Sequence, residues 1–173
     1  MIKHSPGDPV TPLAPELWAL GGWPLGASHD LQKHLTSFAV YAPAATRVLL
    51  ELYPAAVGED ANYRIDAVRS KGGIWRAQLL GVGPGDLYAY RCWGRNWEVD
   101  PQWEPGTLLG FLSDRDVDGN HFNPNKVLLD PYTREVSHVP LSPLVTQAGA
   151  DHAADEPAVA RDRQYAVRTV DSG

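Results

Sequence analysis

A chain of 173 residues is long enough for one well-packed domain with appendages and too short for two full cores. Its formal net charge of -6, with no basic run to offset it, argues against a nucleic-acid partner, and a hydrophobic content of 43% argues against disorder throughout. No apolar stretch approaches the roughly 20 residues of a membrane span, no apolar h-region follows Met1, and Cys92 is the single cysteine. A soluble cytoplasmic protein with no membrane contact and no intramolecular disulfide is therefore expected.

Fifteen prolines and sixteen glycines punctuate the chain and favour short strands and turns over long helices. Residues 1–22, with prolines at 6, 9, 12 and 15, read as an arm lying on a surface. Thr36 to Ala42 then alternates with Phe38 and Val40 on one side and stops at Pro43. Arg47 to Tyr53 sets Val48, Leu50 and Leu52 on one face before Pro54. Asn62 to Val68 alternates Tyr63, Ile65 and Ala67 with Asn62, Arg64 and Asp66, the period-two pattern of a strand with one buried face.

Ser70-Lys71-Gly72-Gly73 predicts a hairpin turn, because its two glycines supply the positive φ that a tight reversal needs. Ile74 to Leu80 follows, with Trp75, Ala77 and Leu79 on one face. After the turn Gly81–Asp86, Leu87 to Gly94 carries Tyr88, Tyr90 and Cys92 on one side. Five strands without a helical period predict an all-β fold, a small antiparallel β-sandwich over residues 23–104. Phe38, Val40, Val48, Leu50, Ile65, Trp75, Leu79, Tyr88 and Tyr90 are its expected core. From Asn96 the alternation fails. Residues 105–145 read as an irregular connecting segment with a last short strand at Val127-Leu128-Leu129, and 146–173 as a flexible tail.

Asp114-Arg115-Asp116-Val117-Asp118-Gly119 opens like a calcium loop, but the twelfth position, which must be a bidentate Glu, is Asn125. The same aspartates lack the rigid frame that paired catalytic carboxylates require. The six histidines show no metal-ligand spacing, and the glycines near 83 and 85 lie in a strand-to-strand turn, not at a helix start. No catalytic residue, cofactor or metal site is assigned. Cys92 reads as a small buried hydrophobe. Of the tryptophans at 18, 23, 75, 93, 97 and 103, Trp75 is in register with the core. Trp97 follows a strand-ending Gly94-Arg95-Asn96 and carries two readings. It is either core, or a partly exposed platform that stacks on a sugar ring while Asn96 or Arg95 bonds a hydroxyl.

The string from Gly119-Asn120-His121-Phe122-Asn123-Pro124-Asn125-Lys126 to Asp130-Pro131-Tyr132 adds a resemblance. So do Gly72-Gly73-Ile74-Trp75-Arg76, Gly83-Pro84-Gly85 with Tyr88 and Tyr90, Pro24-Leu25-Gly26-Ala27 and Phe38-Ala39-Val40-Tyr41-Ala42-Pro43. Over residues 23–143 the chain resembles the N-terminal region of glycogen debranching enzymes of isoamylase type in glycoside hydrolase family 13. Residues 25–98 resemble its family-48 carbohydrate-binding module.

The resemblance implies an immunoglobulin-like sandwich. It also implies a parent activity, hydrolysis of α-1,6-glucosidic branch linkages in glycogen or limit dextrin, by an Asp nucleophile, a Glu acid/base and a second Asp on a following (β/α)₈ barrel. The chain is expected to stop about where that barrel begins, so none of the three maps onto a residue here, and this fragment is expected to be inactive. Binding modules of the family use two tryptophans with a Lys and an Asn. Trp97 falls at one tryptophan position, while Ala89 occupies the lysine position. Weak binding of an α-glucan such as glycogen or a maltooligosaccharide is one implied role, and docking on the catalytic barrel is the other.

Overall fold

The computed structural model describes residues 9–18, 21–55 and 59–133, together with the backbone of Val167–Arg168. The strands are β1 (Thr11–Pro12), β2 (Gly26–Asp30), β3 (Leu35–Tyr41), β4 (Arg47–Tyr53), β5 (Tyr63–Asp66), β6 (Val68–Arg69), β7 (Ile74–Leu80), β8 (Leu87–Trp93) and β9 (Val167–Arg168). They form two antiparallel sheets. The first has the order β1-β7-β3-β2, with β6 also paired to β7, and the second has the order β5-β4-β8-β9. The chain is an antiparallel β-sandwich, as its strand periodicity predicts.

The core lies where the inward faces meet. Phe38, Val40, Trp75, Ala77 and Leu79 come from the first sheet, and Val48, Leu50, Leu52, Tyr88, Tyr90 and Cys92 from the second. Ile65 packs against them half-buried. Burial pushes the Cys92 thiol up to about 12, which keeps it an inert hydrophobe. The Trp75 indole N–H donates to the Ala42 carbonyl at 2.9 Å, so the ring is buried without stranding its one polar atom.

The segment expected as one strand from Asn62 to Val68 is divided. Tyr63–Asp66 pairs with β4, whereas Val68–Arg69 pairs with Trp75–Arg76 of β7 in the other sheet. The chain changes sheets at Ala67, whose N–H still donates to the Val48 carbonyl. It stays extended throughout, which is why its alternation survives in the sequence. Tyr63 belongs to the expected buried face, but its place at the rim of an edge strand leaves it exposed.

The turn before β7 carries Gly72 and Gly73 at φ 73° and 76°. A Cβ on Gly73 would also stand 2.7 Å from the Pro43 Cα, so both space and conformation demand glycine. Strand β2 was not foreseen, because Gly26–Asp30 has no apolar alternation; its backbone fills the free edge of β3. Val127-Leu128-Leu129 makes a single bridge, Leu128 opposite Tyr90, rather than a strand.

Part of the N-terminal arm joins the first sheet as an edge strand, with Thr11–Pro12 paired beside Leu79–Leu80. Just past the arm, the Arg76 guanidinium lies 4.8 Å over the Trp23 ring and donates to the Trp23 carbonyl at 2.9 Å. Trp18 meets Trp23 edge-on at 5.8 Å. The tail expected over 146–173 falls outside the described residues, except that Val167–Arg168 pairs beside Leu87–Tyr88.

Truncating Trp75 to Ala should cost about 3–5 kcal/mol, through lost burial and the cavity left behind. Urea unfolding of the full chain should show a lower midpoint at an unchanged slope. A midpoint equal to wild type would remove Trp75 from the core.

Candidate carbohydrate-binding face

Strand alternation sends Leu49, Glu51, Ala89, Arg91 and Trp93 to the outer side of the second sheet, and all five are buried. They are covered by the irregular chain from Gly94 to Asp130. Glu51, 0% exposed, anchors the arrangement. Its carboxylate accepts from Arg91 Nε at 2.7 Å, from Arg64 Nε at 3.0 Å and from the Tyr53 hydroxyl. Burial, and then the Glu51 charge beside it, push the Tyr53 phenol well above its ordinary range. Arg91 reaches onward to donate to the Pro124 carbonyl at 2.9 Å, tying the covering chain to the sheet.

Three further buried polar side chains shape that cover. Asn96 donates to the carbonyls of Ser113 and Phe122 at 3.1 and 2.8 Å and accepts from the Phe122 N–H at 3.1 Å. Asn125 accepts from the Gly106 N–H and donates to the Thr107 carbonyl, each at 2.8 Å. Asp130 accepts from the Tyr88 hydroxyl at 2.7 Å and from the Tyr132 N–H at 2.8 Å. Burial raises the Asp130 carboxyl, against the lowering effect of the Tyr88 and Tyr132 bonds. Gly94 has no room for a side chain, since a Cβ there would fall inside the Phe122 ring. A cluster of Leu49, Trp93, Trp97 and Trp103 fills the space beneath, with Trp93 and Trp103 edge-on at 4.9 Å.

The expected site residues are therefore divided by the fold. Trp97 is 3% exposed, which corrects the expectation of a partly exposed platform. Its N–H donates to the Leu109 carbonyl at 2.8 Å, and Phe111 packs edge-on against it at 5.1 Å. Every hydrogen-bonding atom of the Asn96 amide side chain is engaged within the protein, so it has no donor to turn outward. Arg95 alone is open, with its side chain 65% exposed and paired to Asp118 at 2.9 Å. Ala89, at the position the resemblance marks for lysine, is fully buried.

Sequence reading missed Glu51, Asn125 and Asp130. The last two stand in the quoted Asn-Pro-Asn-Lys and Asp-Pro-Tyr strings, whose tight spacing was the available signal. Glu51 is an unremarkable outward position on an alternating strand and left none. In the acidic loop, Asp116 accepts from the Asn120 side-chain amide and from the N–H groups of Asp118 and Asn120, and these bonds hold its carboxyl below the usual range.

The family model for carbohydrate-binding module 48 (isoamylase N-terminal domain) matches residues 24–133, which hold strands β2 to β8 and the covering chain. The chain belongs to this family. Isoamylase of Pseudomonas amyloderamosa is 41% identical over 141 residues, 76% of this chain and 18% of that protein. The glycogen debranching enzyme of Salmonella gallinarum is 34% identical over 113 residues, 65% of this chain and 14% of that one. The catalytic module of the multi-modular glycogen-degrading pneumococcal virulence factor SpuA superposes with a TM-score of 0.51 at 15% identity, over 91% of this chain and 18% of its own, a likeness of fold. The chain thus spans less than a fifth of the length of these relatives.

The raised Asp130 carboxyl gives a pH test. A buried acid whose folded pKa lies above its unfolded value stabilises the fold at pH below the unfolded value, near 3.9, and loses that contribution as pH rises through the folded value. Asp130→Asn does not titrate and retains a donor and an acceptor for Tyr88 and Tyr132. The melting temperature of Asp130→Asn relative to wild type should therefore climb as pH is raised from about 3.5 to 6. A difference that stays flat or shrinks over that window would contradict the assignment.

Proposed function

We propose that this chain is the N-terminal module of a cytoplasmic α-1,6-glucan debranching hydrolase and that the module itself binds α-glucan weakly. The match of residues 24–133, most of the described body, to a carbohydrate-binding module carries the reading. The enzymatic part of the proposal comes from relatives named isoamylase and glycogen debranching enzyme, which are far longer than this chain. A single buried cysteine accords with a reducing compartment, and no helix among the described residues is long and apolar enough to cross a membrane.

One observation favours a second role, docking against the catalytic barrel. Trp97 and Asn96 are bonded to the chain that follows them and Ala89 is fully buried, so these three positions are closed to solvent. Leu108, Phe111 and Leu112 of that cover are exposed, and together they offer an apolar surface to a neighbouring domain.

Electrophoresis of the full chain through native gels with and without glycogen separates the two. Glucan binding predicts retardation in glycogen, relieved by maltotriose, with a dissociation constant on the order of millimolar, about 4 kcal/mol. Unchanged mobility at high glycogen would leave docking as the module's role.

A further inference from the structure

We propose that the cavity at the end of the sandwich, where β3 meets β8 and residues 121–131, holds one glucose unit of an α-glucan chain. The inference rests on the glucan-binding reading and locates the sugar away from the closed face over Trp97. The cavity measures about 290 Å³, at the lower end of the range for small-molecule sites, so it suits a single ring rather than a long ligand.

Its walls combine two kinds of surface. Tyr90 and Leu128 contribute to an apolar floor, and Tyr41, 53% exposed at the end of β3, stands at the rim with ring surface open to solvent. Lys126, His121 and Asn123 bring hydrogen-bonding groups to the same cavity. Asn123 is oriented by its own loop, its side-chain carbonyl accepting from the Asn125 N–H at 2.9 Å. The side chains of Lys126 and His121 take part in no hydrogen bond or ion pair among the described residues. The Tyr90 hydroxyl lies buried beside the floor and also has no partner among the described residues. A buried donor of this kind calls for an acceptor.

A pyranose answers both surfaces. Its C–H face covers an aromatic ring, and its hydroxyls accept from the rim donors. A wholly apolar ligand would leave the rim donors unmatched. A strongly anionic one would meet a single permanent cation on a chain of net charge -6.

The test uses the full chain in native gels with and without glycogen, comparing Tyr41→Ala, Lys126→Ala and Trp97→Phe with wild type, and reading thermal melting for each. The gel without glycogen corrects for the altered charge of Lys126→Ala. The proposal expects retardation to weaken at least tenfold in Tyr41→Ala and in Lys126→Ala while their melting temperatures hold, and to persist in Trp97→Phe. Maltotriose should compete with glycogen for wild type. If wild type is retarded and both cavity variants are retarded equally, the cavity is not the site, although the glucan-binding reading survives. If wild type itself is not retarded, that reading fails and the cavity assignment falls with it.

Discussion

A carboxylate with no solvent contact sits in the middle of β4, and the arrangement of the second sheet follows from it. Leaving Glu51 unpaired would cost several kcal/mol, so its charge must be met by ionised partners in good geometry. Arg91 from the adjacent β8 and Arg64 from β5 supply them, which draws three neighbouring strands to one point. Arg91 is itself buried, and its remaining donors need acceptors; the Pro124 carbonyl is one. A requirement for electrostatic satisfaction on a strand thus becomes a requirement that residues 94–130 fold back over the sheet. The tryptophans then fill the volume that the polar anchors enclose.

This constraint explains why β4 and β8 have no wet outer face, whereas Arg64 and Asp66 on the edge strand β5 remain exposed. In an ordinary antiparallel sandwich the outward residues of each strand meet water. Here the outward set Leu49, Glu51, Ala89, Arg91 and Trp93 forms the floor of a second packed layer. The layer is built from chain without regular strands, so its backbone polar groups are satisfied partly by turn and cross-loop backbone bonds, such as Glu98 N–H to the Gly110 carbonyl, and partly by side chains. Asn96 and Asn125 each serve several of them, as a ladder would in a strand. What would be the open platform of a binding module is in this chain a cohesive interior.

The interleaved sandwich was legible because its strands obey a simple rule: one face buried between sheets, with turns marked by Gly and Pro. Arg47–Tyr53 and Ile74–Leu80 have the boundaries that rule predicts. The rule says nothing about whether an outward face stays wet. It therefore could not place Trp97, whose surroundings are set by Leu109 and Phe111, residues in a segment without period. Nor could it find β2, which exists because β3 has an edge to fill and not because Gly26–Asp30 favours extension. Glu51 was hidden for a related reason: a carboxylate at an outward strand position looks solvated until the covering chain is known.

The central claim, that Glu51 holds the covering chain on the sheet, is tested most directly by amide hydrogen exchange on wild type and Glu51→Ala. The N–H groups of Glu98 (bonded to Gly110), Leu112 (bonded to Asn96) and Phe122 (bonded to the Asn96 side chain) report on the cover. Amides in the β3–β7 ladder report on the sandwich beneath. Removing the carboxylate leaves Arg64 and Arg91 uncompensated. Protection at Glu98, Leu112 and Phe122 should therefore fall by about 100-fold, the equivalent of roughly 3 kcal/mol, and by far more than in the β3–β7 ladder. Wild-type exchange rates at those three amides in a folded Glu51→Ala protein would contradict it.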